Sequence, residues 1–252
     1  MKRAREVPIS REDLDKVLAA MADDLILVGG QALVFWIEYF GVHNRLDVVT
    51  RDVDILARDF EDVRKIAAGI GGKPVLQNKA AISALLGCVR IDHGDNEYAT
   101  LDVIDRVLGM SREQVVNRAV EIELPPFSRS FHVMHPIDVT ESRIVNFCEL
   151  KEKQDGNGEA QLVMALDVAR RFIETADEAF AIDAAEKLVR LATKYQRRVD
   201  KLAPGVFLGT PLYAINTRNF ALPQGKRFIE LRQPQIMALL DDLQEQPPLR
   251  RR

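Results

Sequence analysis

The chain is short of the residues that would make several function classes easy to assign. It has 2 cysteines, Cys88 and Cys148, in 252 residues. Two thiols cannot build a disulfide framework, and each sits in an apolar stretch as a buried small residue does. Nor do they make a zinc site, which needs more Cys or His at close spacing. Histidine is equally scarce, at 4 residues. No excess of either charge sign exists: Lys and Arg total 35, Asp and Glu total 38, and the formal net charge is -3. That balance argues against a chain that coats nucleic acid by charge alone, although it leaves room for a local basic face. There is no long hydrophobic run. The longest, Leu25 to Ile37, is interrupted by Gly29, Gly30 and Gln31 and is too short to span a membrane. Met1-Lys2-Arg3-Ala4-Arg5-Glu6 is basic but has no apolar segment behind it, so it does not read as a signal peptide. No internal repeat is visible, and the reading is a soluble, cytoplasmic chain.

What is present is an ordinary globular composition, 47% apolar and 29% charged. The length suits one large domain or two modest ones with a sizeable core. Ser10 caps an expected helix over residues 10 to 22, whose face is Leu14, Val17, Leu18 and Met21. Leu25 to Val28 reads as a buried strand ended by Gly29-Gly30, followed by a helix from about Gln31 to Phe40. Asp52 to Leu56 reads as a second strand, and Asp59 caps a helix to about Gly69. Gly71-Gly72-Lys73-Pro74 reads as a loop. Cys88 to Asp92 and Tyr98 to Ile104 read as strands joined around the Gly94-Asp95-Asn96 turn. Ser111 caps a short helix to Arg118, and two alternating segments, Ala119 to Leu124 and Ser130 to His135, flank Pro125-Pro126.

After Pro136 strand signals stop. Residues 138 to 203 show helical periodicity broken by Asp155-Gly156-Asn157-Gly158, and the tail from Pro204 reads as a Pro-rich wrapping segment with one short helix near Gln235 to Leu243. The expected organisation is therefore an α/β domain over residues 1–136 and a helical domain over 137–252.

Three elements carry chemistry. Val28-Gly29-Gly30-Gln31 takes a strand through glycines into a helix. Thr50-Arg51-Asp52-Val53-Asp54-Ile55-Leu56 places two carboxylates at spacing two on a strand. Thr100-Leu101-Asp102-Val103-Ile104 places one more on a later strand. Residues two apart on a strand point to one side, so Asp52 and Asp54 project together. Adjacent carboxylates repel unless a cation lies between them. Magnesium suits such a place, because it takes a few carboxylates together with phosphate oxygens. A third carboxylate on a neighbouring strand completes a site for two metals about 3.5–4 Å apart. Glycines bare the N–H groups at a helix N-terminus, where phosphate is favoured.

In that order these motifs resemble the nucleotidyltransferase superfamily with the DNA polymerase β-like fold. The Gly-Gly-x-Ala opening and the Thr-x-Asp-x-Asp-Ile-Leu string are most similar to a prokaryotic branch that includes transferase toxins of toxin–antitoxin pairs. The resemblance covers roughly residues 20 to 150. It implies an α+β fold, a mixed-sheet core with flanking helices followed by a helical C-terminal domain. It also implies that Asp52 and Asp54 bind both Mg2+ ions, and that Asp102 binds the catalytic metal and helps deprotonate the attacking hydroxyl. Gly29 and Gly30 would cradle the β- and γ-phosphates of a nucleoside triphosphate such as ATP, with Gln31, Thr50 and Arg51 beside them, and pyrophosphate would leave. Relatives carry a Lys in the helix after the sheet; here Arg143 or Lys151 stands in its place.

Asp105, three residues past Asp102, would face the other way on the strand. His132 and His135, also three apart, read as ordinary strand histidines. Lys187, Arg190, Lys194, Arg197, Arg198 and Lys201 recur at helical spacing with only Asp200 among them. This stripe reads either as a solvated face or as a surface that steers an RNA or protein acceptor. The functional expectation is transfer of a nucleoside monophosphate to an acceptor hydroxyl. The alternative is a catalytically weak or inactive nucleotide-binding module of the same fold, for instance in a toxin–antitoxin pair.

Overall fold

The computed structural model describes residues 4–21, 24–43, 53–78, 83–124 and 129–245. Thr50, Arg51, Asp52 and the Pro125-Pro126 turn lie outside them. The chain divides into two compact units. One comprises Met1–Phe35 and Val49–Ser142, the other Trp36–Val48 and Arg143–Arg252.

The first unit is built on a mixed eight-stranded sheet. Its elements in chain order are β1 (Arg5–Glu6), α1 (Arg11–Ala20), β2 (Ile26–Val28), α2 (Gly29–Tyr39, which continues past Phe35), β3 (Val53–Leu56), α3 (Phe60–Ile70), β4 (Lys73–Leu76), β5 (Leu85–Gly94), β6 (Glu97–Ile104), α4 (Arg112–Arg118), β7 (Val120–Leu124) and β8 (Arg129–Val133). The strand order is β4-β5-β6-β3-β2-β8-β7, and β1 pairs with β6. Strand β3 runs antiparallel to β2 and parallel to β6, which brings three sequence-distant segments side by side.

Local chemistry explains the boundaries. The Ser10 side chain accepts the Asp13 amide and opens α1. Asp59 and Asp62 form a capping box at α3, and Gly71 closes that helix in the left-handed conformation. The β5–β6 hairpin turns through Asp95 and Asn96, at φ 48° and 63°. Two positive φ values in a two-residue loop match the right-handed twist of the strands.

One expectation fails here: Lys73 and Pro74 belong to strand β4, not to a loop. Pro74 is tolerated because β4 is the edge of the sheet. Gln77 donates to Leu86 O at 2.9 Å. By alternation Lys73 and Val75 also face β5 with their amides, so the Pro74 nitrogen faces away from it.

On β6, Ala99, Leu101 and Val103 are fully buried while Thr100, Asp102 and Ile104 are half-buried. The buried residues share a face with Gly87 and Val89 of β5, against which α3 packs through Val63. Burying such side chains is worth about 1.5–3 kcal/mol each. Asp102 and Cys88 stand on the opposite face.

The second unit is helical: the rest of α5 (Pro136–Glu149), a 3-10 turn Lys151–Lys153, α6 (Gly156–Thr175) and α7 (Glu178–Leu202). Gly156 and Gly158, expected to break the helical pattern, form the first turn of α6 under the Asp155 cap. The tail also differs from expectation. It holds a 3-10 helix Thr210–Thr217, α8 (Pro223–Arg227), a π-helical turn Phe228–Arg232 and α9 (Gln233–Glu245). Pro211 and Pro223 occupy first-turn positions, where a missing N–H costs nothing, so they start helices instead of preventing them. Side chains anchor the tail. The Gln196 amide donates to Val206 O at 3.0 Å and accepts from Leu208 N at 2.8 Å. Arg232 makes a two-pronged contact with Glu186 at 2.6 and 2.9 Å. Arg218 donates to the carbonyls of Ile173 and Ala176 at the end of α6, where a cation offsets the helix dipole.

Among the described residues, no helix is long and apolar enough to cross a membrane.

Candidate functional site

The site forms where β2, β3 and β6 lie side by side. Val28 of β2 is the register partner of Asp54, and Asp54 is the register partner of Asp102. Asp102 in turn stands opposite Cys88, and Cys88 opposite Val75. One row across the sheet therefore holds both carboxylates next to each other. Each is half-buried, between fully buried neighbours on its own strand. Strands lie about 4.8 Å apart. Two carboxylates at that spacing repel by roughly 3 kcal/mol at an effective dielectric near 20.

Gly29 follows Val28 and opens α2 at φ +68°. A Cβ placed there would lie 1.9 Å from Asp54 Oδ2 and 2.7 Å from its Cγ. Glycine is thus required twice over, by the left-handed backbone and by the carboxylate against its Cα. The first amides of a helix have no partner within it. The N-terminus of α2 therefore presents donors and partial positive charge beside Asp54. Gly30 is buried and Gln31 half-buried in that first turn.

Cys88 reports the electrostatics of the row. Burial raises its thiol pKa above the ordinary value, and the Asp102 carboxylate and then Glu6 push it further up. The sequence does not announce this neighbour, because the β5–β6 register that pairs Cys88 with Asp102 depends on a register shift between Asp92 and Gly94 beside the turn.

The remaining residues singled out from sequence are placed as follows. Arg143, on α5, is 7% exposed and donates through Nη1 to Gln161 Oε1 at 2.9 Å. Lys151 is exposed in the 3-10 turn. Asp105 lies just past the end of β6, outside the row, with its amide bonded to Ala84 O at 2.8 Å. His132 lies on β8, and His135 Nδ1 accepts the Ile137 amide at 3.2 Å. Of the basic stripe on α7, Arg190, Lys194, Arg197 and Lys201 are exposed. Lys187 is buried at 8% exposure, against expectation, and Arg198 pairs with Glu149 at 3.0 Å. Lys187 lies beside Leu188 on the face that packs inward, so helical spacing alone misplaced it.

Among the described residues no cluster of three or more His, Cys, Asp or Glu able to hold a metal occurs. Two carboxylates in one sheet row are present, and the absence of a side chain at Gly29 lets the Asp54 carboxylate lie against the start of α2. Magnesium usually takes only one or two carboxylates with phosphate oxygens, so the two fit it. Asp52, the third expected carboxylate, lies outside the described residues.

No family model and no curated protein matches the chain. Among solved structures, it is similar to the crystal structure of an antigenic nucleotidyltransferase-like protein from Paracoccidioides brasiliensis. The identity is 15%, the match covers 82% of this chain and 99% of that one, and the TM-score is 0.45. A likeness at that level carries no argument about activity, so the functional reading rests on the site residues.

Proposed function

We propose that the chain is a magnesium-dependent nucleotidyltransferase that moves a nucleoside monophosphate from a triphosphate to an acceptor hydroxyl and releases pyrophosphate. The observation that supports it is the Val28–Asp54–Asp102 row with Gly29 pressed against the Asp54 carboxylate. Asp54 and Asp102, with Asp52 expected beside them, would hold the metal. When bound, magnesium supplies charge neutralisation on the phosphate oxygens.

The rest is work for the chain. The Gly29-Gly30 amides at the start of α2 hold the β- and γ-phosphates, with the glycine surface allowing close approach. Gln31 lies one residue further along the same turn, beside the triphosphate. Asp102 lies on the far side of Asp54 from the glycines, so it takes the acceptor side. There its carboxylate accepts the hydroxyl proton as the oxygen attacks the α-phosphorus, and the bond to pyrophosphate breaks in line. The exposed cations of α7, Arg190, Lys194, Arg197 and Lys201, are the proposed contact for an RNA or protein acceptor, and the resemblance of the motif string to transferase toxins is the ground for proposing a regulated activity.

Incubation with each α-labelled nucleoside triphosphate, Mg2+, total RNA and cell lysate tests this reading. Label must enter one macromolecular band or small-molecule product with wild-type chain and not with Asp102→Asn. Magnesium-dependent triphosphate binding with no transfer to any acceptor would favour the inactive binding module instead.

A further inference from the structure

A polar cavity of about 270 Å³ lies in the first unit, apart from the Asp54–Asp102 row. It is walled by α1, the end of α3, the start of β4 and the far end of β5. Basic side chains reach it from three of these elements: Lys16, Lys73, Arg90 and His93. Its two carboxylates, Asp13 and Asp92, are already engaged. Asp92 bonds Lys73 Nζ at 2.6 Å through one oxygen and Arg90 Nε at 2.7 Å through the other. Asp13, 6% exposed, accepts the Ser10 hydroxyl and lies 3.6 Å from His93 Nε2 and 3.8 Å from Lys16 Nζ. Lys16 is shared with Glu12 at 2.8 Å.

Each carboxylate thus works as a tether that aims two basic side chains at one space. The lining carries three permanent cations against two carboxylates, a formal +1, and Glu12 outside it is paired with Lys16. The negative end of α3, at Ile70 and Gly71, trims that charge without reversing it. Donors are left over. Among the described residues the Arg90 guanidinium makes its hydrogen bond through Nε alone, while its plane is fixed 4.1 Å over the Tyr98 ring. Its Nη groups, with the further N–H bonds of Lys73, are unspent. Pairs as exposed as Lys73–Asp92 contribute under about 1 kcal/mol to stability, so folding alone is a weak reason to assemble three cations and a histidine here.

We propose that this cavity binds a phosphate-class oxyanion. The volume lies just under the range of about 300–1,000 Å³ typical for small-molecule pockets, which suits a free ion. The carboxylates make the site selective. An oxyanion without a proton sets lone pairs against Asp13 and Asp92. Monohydrogen phosphate donates its O–H to one of them while Arg90, Lys73 and Lys16 hold its other oxygens. Sulfate at neutral pH has no proton to give, so the cavity distinguishes two ions of the same shape and charge.

The test is calorimetric titration of the full chain at pH 7 and constant ionic strength with sodium phosphate, sodium sulfate and glycerol 3-phosphate. Saturable phosphate binding is expected, at least about ten-fold tighter than sulfate. Arg90→Ala and Lys73→Ala should each weaken it about ten-fold, and Arg90→Lys less, with unchanged circular dichroism. Glycerol 3-phosphate, whose dianion at pH 7 also carries no P–O–H, should bind at least about ten-fold more weakly than phosphate, and equal or tighter binding would overturn the proposal. Asp54→Asn should leave phosphate affinity unchanged. Equal affinity for sulfate, absence of saturable phosphate binding, or wild-type affinity in both Arg90→Ala and Lys73→Ala would overturn the proposal.

Discussion

Asp54 and Asp102 are direct register partners on adjacent parallel strands, although 48 residues separate them in the chain. The pairing places two carboxylates side by side at one point of the sheet, where like charges repel.

That repulsion is measurable. Without metal, Asp102→Asn removes one of two facing charges, and the variant should melt several degrees higher than wild type in EDTA, by about 1–3 kcal/mol. Transferase activity should fall by about 100-fold or more. Thermal denaturation beside label transfer separates the two effects. An unchanged melting temperature would show that the charges do not repel.

Gly29→Ala places a methyl group into the Asp54 carboxylate at a left-handed backbone position. The expected loss is about 2–4 kcal/mol in urea denaturation, with activity abolished. Gly41→Ala is the control. Gly41 also has positive φ, +59°, but an added Cβ meets nothing within 4 Å. It should cost only about 1–2 kcal/mol.

Cys88 gives a chemical readout of the same row. Burial and the Asp102 charge raise its pKa, so alkylation by iodoacetamide near pH 8 should be slow. Asp102→Asn removes one of those causes and should speed the reaction several-fold at fixed pH. Cys148, buried and pushed up to about 11, should stay unreactive in both proteins. Mass spectrometry of the two cysteine peptides over time checks both statements.

Away from the site, the Glu186–Arg232 pair should make the tail's stability depend on pH. Arg232 holds the Glu186 carboxyl below its ordinary value of 4.5. A depressed folded-state pKa contributes stability that is fully present above the unfolded value and is lost as pH falls through the folded one. Arg232→Ala should therefore be less stable than wild type above pH 5, by no more than about 1 kcal/mol for so exposed a pair. The difference should close in acid. Urea melts at pH 7 and pH 3 decide it.

The sequence carried much of this in local signals. Ser10, Asp59 and Ser111 mark helix starts, the Asp95-Asn96 turn marks a hairpin, and Gly29-Gly30 marks the passage from β2 to α2, because each acts within a few residues of itself. The fold class, a mixed sheet with flanking helices and further helices after it, follows from that order. Three features were not legible. Strand β4 was hidden because an edge strand accepts Pro74. The helical tail was hidden because prolines at helix starts look like breakers. Lys187 sits in the interior because burial depends on which helix faces it, not on its spacing. The Asp54–Asp102 pairing could be suspected from motif order, but the Cys88 neighbour and the cavity at Arg90 depend on strand register and helix placement. Asp52, Thr50 and Arg51 lie outside the described residues, so that part of the expected site rests on sequence alone.

The central claim is that Asp54 and Asp102 hold a divalent ion jointly with a triphosphate. Titration of Mn2+ followed by electron paramagnetic resonance tests it most directly, with a non-hydrolysable nucleoside triphosphate present or absent, in wild type, Asp54→Asn and Asp102→Asn. The account predicts protein-bound Mn2+ in the wild type that tightens strongly with the triphosphate and is lost in both variants. Equal Mn2+ binding in all three proteins, or binding indifferent to the triphosphate, would contradict it.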